Sequence, residues 1–353
     1  MEKNELIKTF VQLGTILTTL GERKSWSGLN LGITEIEFKK LNEIVLRQKV
    51  LNAWFTEENV RNSLLALGSN MNEVSLNNWL NPYSFSTSPK RVAIIMAGNI
   101  PLVGFHDFLC VILSGNTAIC KMSSDDKTLL PAIVQLLLTF TPSLENRIIL
   151  SENKISDFDA VIATGSDNSL NYFNQYFGKY PHVFRKNRTS VAILNGSETV
   201  SDFEQLGHDI FDYHGLGCRN VSHLIVPKDY DFKSFFEGIV RHGNIINHFK
   251  YGNNYDYNKT VYLMNQHKML DNNFVLLFES IELFSPLAMI YFHSYQSQAE
   301  IDDYLALHKD SIQAIVGDDY IPFGSAQCPA LNDYADGFDT MEWLSELQIG
   351  EVS

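Results

Sequence analysis

Cysteine is scarce: four of the 353 residues, at positions 110, 120, 218 and 328, and no two share the short paired spacing of a zinc or dithiol motif. That scarcity argues against a disulfide scaffold and for reduced thiols in a cytoplasmic protein. Positive charge is also in deficit, with 27 Lys and Arg against 41 Asp and Glu, a formal net charge of −14. No basic stripe is available to neutralise phosphates, which argues against nucleic acid and anionic membrane surfaces as partners, and a small anionic ligand would need local cations. No apolar run approaches the ~20 residues of a membrane span. The opening "MEKNELIKTF" lacks the apolar core and small-residue cleavage site of a secretory signal, which fits a cytoplasmic location. Internal repeats, low-complexity stretches and a GxGxxG fingerprint are all missing.

What is present is an ordinary globular composition, 45% hydrophobic, in a chain long enough for two domains. Residues 1 to about 80 read as helices. Leu6, Phe10, Leu13, Leu17 and Leu20 follow the helical period up to Gly21, Thr34 with Glu37 forms a capping box, and Thr56 with Glu57 and Glu58 opens a third helix ending near Gly68. From residue 91 short apolar runs alternate with helical stretches: "RVAIIMA", a helix over "PLVGFHDFLCVILSG", "TAICKM", the helix "LLPAIVQLLLTF", "RIIL", "FDAVIAT" and the helix "NSLNYFNQYF". Such alternation predicts a parallel, doubly wound α/β sheet. A second series, with strands "SVAIL", "SHLIVP" and "LAMIYFH" and helices over "DFKSFFEGIVRHG" and "QAEIDDYLALH", predicts a second α/β lobe. The expected division is 1–185, 186–325 and a C-terminal segment 326–353 that packs back on the core, with a ligand cleft between the lobes.

Four turns carry the candidate chemistry, three of them marked by glycine. In "MAGNIPL", Asn99 precedes Pro101, and it reads either as a helix N-cap or as an amide donor for an oxyanion. In "AICKMSSDD", Lys121 ends a strand and is followed by Ser123 and Ser124; it is a solvated surface charge or a cation at the ligand-binding edge of the sheet. In "VIATGSDNSL", Gly165 and Ser166 open a helix whose amide groups suit a pyrophosphate, though an ordinary turn has the same composition. In "FDYHGLGCRNVSHLIVP", Cys218 follows Gly215 and Gly217, where the backbone can turn sharply and approach a ligand. An isolated cysteine is more often buried and inert, but the flanking glycines favour a reacting sulfur; His214 reads as a loop hydrogen-bonder rather than its base.

Taken in order, these turns resemble the aldehyde dehydrogenase superfamily. "GNIPLVGFHDFLCVILSGNTAICKMSS" and "HGLGCRNVSHLIVP" are most similar to its acyl-CoA reductase branch, the family of the luminescence fatty-acid reductases. The likeness runs from about residue 90 to about 345. It implies a two-lobed aldehyde dehydrogenase-like fold with Cys218 as nucleophile and Asn99 as oxyanion donor. It implies Lys121 on the adenosine ribose beside Ser123 and Ser124, and Gly165 and Ser166 at the nucleotide. In "ELFSPL" it places Glu282 on the nicotinamide ribose and Phe284 beside the ring. "IPFGSAQCPALNDYADGFD" resembles the closing segment, where Cys328 is structural.

Three departures shape the expected activity. Where hydrolytic aldehyde dehydrogenases carry a glutamate base, this chain reads "RKNRTSVAIL", with Arg185 at or near that position, so the resemblance implies that the base that activates water against a thioester is missing. The acidic residue that often follows the ribose-binding lysine by three positions is Ser124, which favours NADPH over NADH, although Asp125 adjoins it. The chain is also short for the superfamily and shows no clear oligomerisation hairpin, which leaves a homo-oligomer open. The resemblance thus implies NADPH-dependent reduction of an acyl-CoA to an aldehyde, with a partner enzyme supplying acyl groups or consuming the product. Rival readings are an acyl-phosphate or semialdehyde reductase of the same fold and a non-catalytic subunit that holds a cofactor or partner.

Overall fold

The computed structural model describes every residue except 1, 27, 29–31, 87, 166 and 348–353. It forms two compact units, residues 1–186 with 330–353 and residues 187–329.

The first unit begins with four helices, α1 (Lys3–Gly21), α2 (Glu35–Leu51), α3 (Glu57–Asn70) and α4 (Glu73–Leu80). The α1 stripe Leu6, Phe10, Leu13, Leu17 and Leu20 is buried, and α2 opens on the capping box of Thr34 and Glu37. Then follow β1 (Arg91–Ile95), α5 (Phe105–Leu113), β2 (Thr117–Lys121), α6 (Leu129–Phe140), β3 (Ile148–Ser151), β4 (Ala160–Thr164), α7 (Asp167–Phe177) and β5 (His182–Arg185). The strands form one parallel sheet in the order β3-β2-β1-β4-β5. Strands covered on both faces need continuous apolar runs, and Val92, Ala93, Ile94, Ala118, Ile119, Cys120, Val161 and Ile162 are all buried.

The second unit holds β6 (Thr189–Ile193), α8 (Val200–Phe211), β7 (Val221–Pro227), α9 (Lys233–Ile239), α10 (Phe249–Met264), β8 (Leu270–Asp271), β9 (Leu276–Glu279), β10 (Met289–Tyr295), α11 (Gln298–Leu307) and β11 (Ile312–Val316). Its sheet runs β11-β6-β7-β10-β9-β8, parallel except for β8 against β9. The chain then returns to the first unit, where α12 (Thr340–Glu346) contributes Met341 and Leu344 to a core shared with α1, α5 and α6.

One expected helix starts late. Residues 101–104 form a turn rather than the first turn of α5, because Leu102 adopts a left-handed φ of 58° and gives its N–H to the buried carboxylate of Asp126 at 2.9 Å. Helices α8 and α10 have no counterpart among the elements expected from the sequence. Among the described residues, no helix is long and apolar enough to cross a membrane.

Candidate functional site

The Cys218 loop lies within the second unit, between the end of α8 and the amino end of β7. Three consecutive residues there, Tyr213, His214 and Gly215, adopt left-handed φ values of 54°, 59° and 76°. For tyrosine and histidine this costs on the order of 1–3 kcal/mol each, so the surroundings must hold them. Tyr213 and His214 are buried, and the His214 ring lies 4.3 Å from that of His248. Asn220 is the staple. Its Nδ2 donates to the carbonyls of Asp209, Ile210 and Asp212 at 3.1, 3.2 and 2.8 Å, and its Oδ1 accepts the Gly217 N–H at 2.8 Å. The Ser190 hydroxyl donates to the Cys218 carbonyl at 3.0 Å, fixing the cysteine by its main chain and leaving the half-buried thiol out of that bond. None of the four cysteines forms a disulfide.

A second brace runs through Asp209. Its buried carboxylate accepts the N–H groups of Gly324 and Ala326 at 2.6 and 2.9 Å, tying α8 to the "PFGSAQ" stretch. Burial raises that carboxyl to about 6.

Asn220 and Asp209 were not singled out in the sequence. The available signal was an asparagine at the mouth of an apolar strand, where a polar side chain that bonds main chain is the usual occupant. Asn220→Ala leaves one amide and three carbonyls to find water. It is expected to cost at least about 2 kcal/mol in urea unfolding and to slow alkylation or acylation kinetics at Cys218.

The loop also sets a pH dependence. Burial, reinforced by His248, holds the His214 imidazole down at about 4, and burial with His293 nearby holds His223 at about 3. Both rings are neutral in the fold but take up a proton near pH 6.5 when the chain unfolds. Their stabilising contribution is therefore present above pH 6.5 and lost as pH falls through the window toward 4. Between pH 7 and pH 5 each is expected to remove about 2 kcal/mol from the unfolding free energy. His214→Asn, which tolerates the left-handed conformation, should flatten the pH dependence of the urea midpoint.

Glu282 and Phe284 also belong to the second unit, on the segment after β9. Glu282 is exposed and Phe284 is 43% exposed, while Leu283 between them is buried at 4%. The Glu282 N–H bonds the Ser280 hydroxyl at 3.1 Å, and its carbonyl accepts from His223 Nδ1 at 3.0 Å.

The other candidates lie in the first unit at the carboxyl edge of its sheet. Lys121 is the last residue of β2; its carbonyl accepts the Met96 N–H at 3.0 Å, and its Nζ reaches the Met122 carbonyl at 3.1 Å. Ser123 is half-buried, with its Oγ accepting the Asp125 N–H, and Ser124 is exposed. A Cβ on Gly98 would meet Ser123 Oγ at 2.4 Å, so only glycine lets the turn after β1 close on the turn after β2. Gly165 follows β4 at the same edge; Ser166 lies outside the described residues. Asn99 is exposed in the turn after β1, and the N-cap position of α5 belongs to Gly104, so the capping alternative for Asn99 does not hold. Strand order 3-2-1-4-5 reverses direction between β1 and β4, the kind of point at whose carboxyl side nucleotides bind.

Arg185 ends β5 and is 3% exposed. Its Nη2 and Nε donate to the two carboxylate oxygens of Asp107 at 2.6 and 3.2 Å, Nη1 to the Ala335 carbonyl and Nη2 to Thr340 Oγ1, both at 2.8 Å. The guanidinium thus fastens α5 and the C-terminal segment to the sheet of the first unit. Among the described residues, no group of three or more His, Cys, Asp or Glu could hold a metal ion.

The architecture is that of the aldehyde dehydrogenases. The chain superposes on indole-3-acetaldehyde dehydrogenase AldA of P. syringae, in complex with NAD+ and IAA, with a TM-score of 0.63 at 10% identity, covering 90% of this chain and 72% of that one. It superposes on the aldehyde dehydrogenase KauB of Pseudomonas aeruginosa with a TM-score of 0.62 at 12% identity and the same coverage. Residues 22–234, more than half of the chain, match the family described as acyl-CoA reductase (LuxC), and the chain belongs to that family. It is also similar to the long-chain acyl-protein thioester reductase of Aliivibrio fischeri, 26% identical over 146 residues, which span 37% of this chain and 30% of that protein's length.

Proposed function

We propose that the chain reduces a fatty acyl thioester, delivered on coenzyme A, to the aldehyde using NADPH, by way of an acyl group carried on Cys218. The observation that carries this reading is the Cys218 loop: left-handed residues held by Asn220, with the cysteine fixed through its carbonyl, in a member of the acyl-CoA reductase family. The Cys218 thiolate attacks the acyl carbonyl, its S–C bond forms, and the coenzyme A thiolate leaves and takes up a proton. The Asn99 amide and the Cys218 main-chain N–H stabilise the oxyanion of that step. Bound NADPH would supply the hydride that brings the acyl carbon to the aldehyde level. The resulting thiohemiacetal collapses as its C–S bond breaks, releasing aldehyde and restoring Cys218.

The donor set suits such a cofactor. Lys121 contributes a cation and Ser123 and Ser124 hydroxyls at one sheet edge, with Gly165 at the same edge, while Glu282 and Phe284 are exposed on the second unit for the ribose and ring of the nicotinamide. With Arg185, which is buried against Asp107, at or near the place the resemblance gives a glutamate base, an acyl group on Cys218 would have no such carboxylate to deliver water.

The name of the A. fischeri relative favours a second donor, an acyl group held as a thioester on a protein. Oxidation of NADPH and of NADH, measured with acyl-CoAs of graded length and with acyl groups on a carrier protein, tests both. Absence of aldehyde formation with every donor overturns the reading; NADH used as well as NADPH overturns the cofactor choice.

A further inference from the structure

A histidine pair in the second unit is unused by this chemistry. His223 lies in the middle of the apolar strand β7 and is fully buried, and His293 occupies the neighbouring strand β10. A core position in "VSHLIVP" would be filled more cheaply by an aliphatic residue, because a buried imidazole is unfavourable unless both nitrogens are bonded. Here both are. His223 Nδ1 reaches the Glu282 carbonyl at 3.0 Å and Nε2 meets His293 Nδ1 at 2.7 Å. Only an N–H can bond a carbonyl, so Nδ1 carries the proton; Nε2 is then the acceptor and His293 Nδ1 the donor. Burial keeps His223 neutral and lowers His293 too, consistent with one proton per ring. The groups around the pair are Tyr304 and His308 of α11 and its flank, with Glu300 acting on His293; the Tyr304 ring lies 4.3 Å from His293 and 5.3 Å from His223.

We propose that His223 is a positioning residue: backed by His293, it holds the main chain of Glu282 on β7, so the segment 282–284 keeps one place relative to the strand that begins beside Cys218. The adjacent residue on β7 adds a weaker tie, Ser222 Oγ to the Leu283 carbonyl at 3.5 Å, and Leu283 is packed with Val191, Ile225, Ile301 and Tyr304. These ties bury residue 283 and turn residues 282 and 284 outward. The inference rests on the reading of Glu282 and Phe284 as the nicotinamide side of the site.

Three measurements on the full chain test it. In His223→Leu, amide hydrogen exchange over 281–285 without cofactor should accelerate about tenfold, the effect of losing one net hydrogen bond of about 1.4 kcal/mol. The KM for NADPH should rise by a similar factor of about ten, while acyl loading of Cys218 from labelled acyl-CoA without reductant stays within about twofold. His223→Asn, whose side-chain amide can replace the Nδ1–H, should recover both exchange protection and KM. Should the leucine variant fail to fold, His223→Asn and His293→Leu carry the test, with protection kept in the first and reduced in the second. Unchanged exchange in His223→Leu, loss of acyl loading in step with KM, or failure of asparagine to protect the segment overturns the positioning role. Wild-type protein that neither loads Cys218 nor oxidises NADPH overturns the reading of the site, and the exchange comparison then still decides whether His223 anchors the segment.

Discussion

Cys218→Ala is expected to abolish both acyl loading and NADPH-dependent reduction, at least about a thousandfold below wild type, while leaving the unfolding free energy within about 1 kcal/mol. The two halves of that expectation have separate causes. Activity requires the sulfur because the acyl group is bonded to it in the proposed cycle. Stability does not, because the ties that order the loop are made by the Asn220 side chain, by the Gly217 N–H and by the Cys218 carbonyl, all present in the alanine variant. The other thiols provide internal controls. Cys110 and Cys120 are fully buried, and burial raises both well above an ordinary thiol, so neither supplies thiolate near neutral pH. Cys328 has an exposed residue surface, yet partial burial of its sulfur, with Asp212 and Asp209 nearby, also raises its thiol. Iodoacetamide modification that acyl-CoA prevents should therefore map to Cys218 by peptide mass. An alanine variant that still takes up labelled acyl groups, or turns over at the parental rate, removes the basis of the mechanism.

The fold was legible in the sequence where one local rule sufficed. Apolar runs at 91–95, 117–121 and 160–164 became parallel strands because both faces of each are covered, and Thr34 with Glu37 capped α2 as their spacing required. It was illegible where tertiary context overrode the local pattern. Pro101 offered a helix start, but the Asp126 carboxylate 24 residues away captured the Leu102 N–H and delayed α5 to Phe105. Helix α10, "FKYGNNYDYNKTVYLM", buries only Tyr251, Tyr255 and Asn258 and so offers no apolar stripe. The same division holds at the candidate site. Short motifs name Cys218, Lys121 and Gly165, because each sits in or next to a turn whose composition is unusual. The residues that brace those turns bond main-chain groups that any sequence possesses, as Asp209 does at positions 324 and 326, more than a hundred residues on.

Breaking the Asp107–Arg185 pair is expected to cost about 3–5 kcal/mol, a large share of a typical domain's stability. The two side chains are 9% and 3% exposed, so deleting one strands the other's charge away from water. Asp107→Ala and Arg185→Leu should each lower the urea midpoint strongly, and the double variant should cost much less than the two losses added, because neither charge is then left alone. Arg185→Leu should be the harsher of the two, since the Ala335 carbonyl and Thr340 hydroxyl lose a donor as well. The informative substitution is Arg185→Glu. The resemblance puts Arg185 at or near the glutamate base of the hydrolytic aldehyde dehydrogenases, and on the proposed function a simple exchange of base there should convert the reductase into a thioester hydrolase. In this chain the new carboxylate would face Asp107 with no cation between them, and two buried like charges at that distance cannot both ionise. The expected result is therefore loss of folding, not gain of hydrolysis. A soluble, folded glutamate variant that hydrolyses acyl-CoA would show that the buried guanidinium is dispensable and that, in the proposed cycle, the missing base alone protects an acyl group on Cys218.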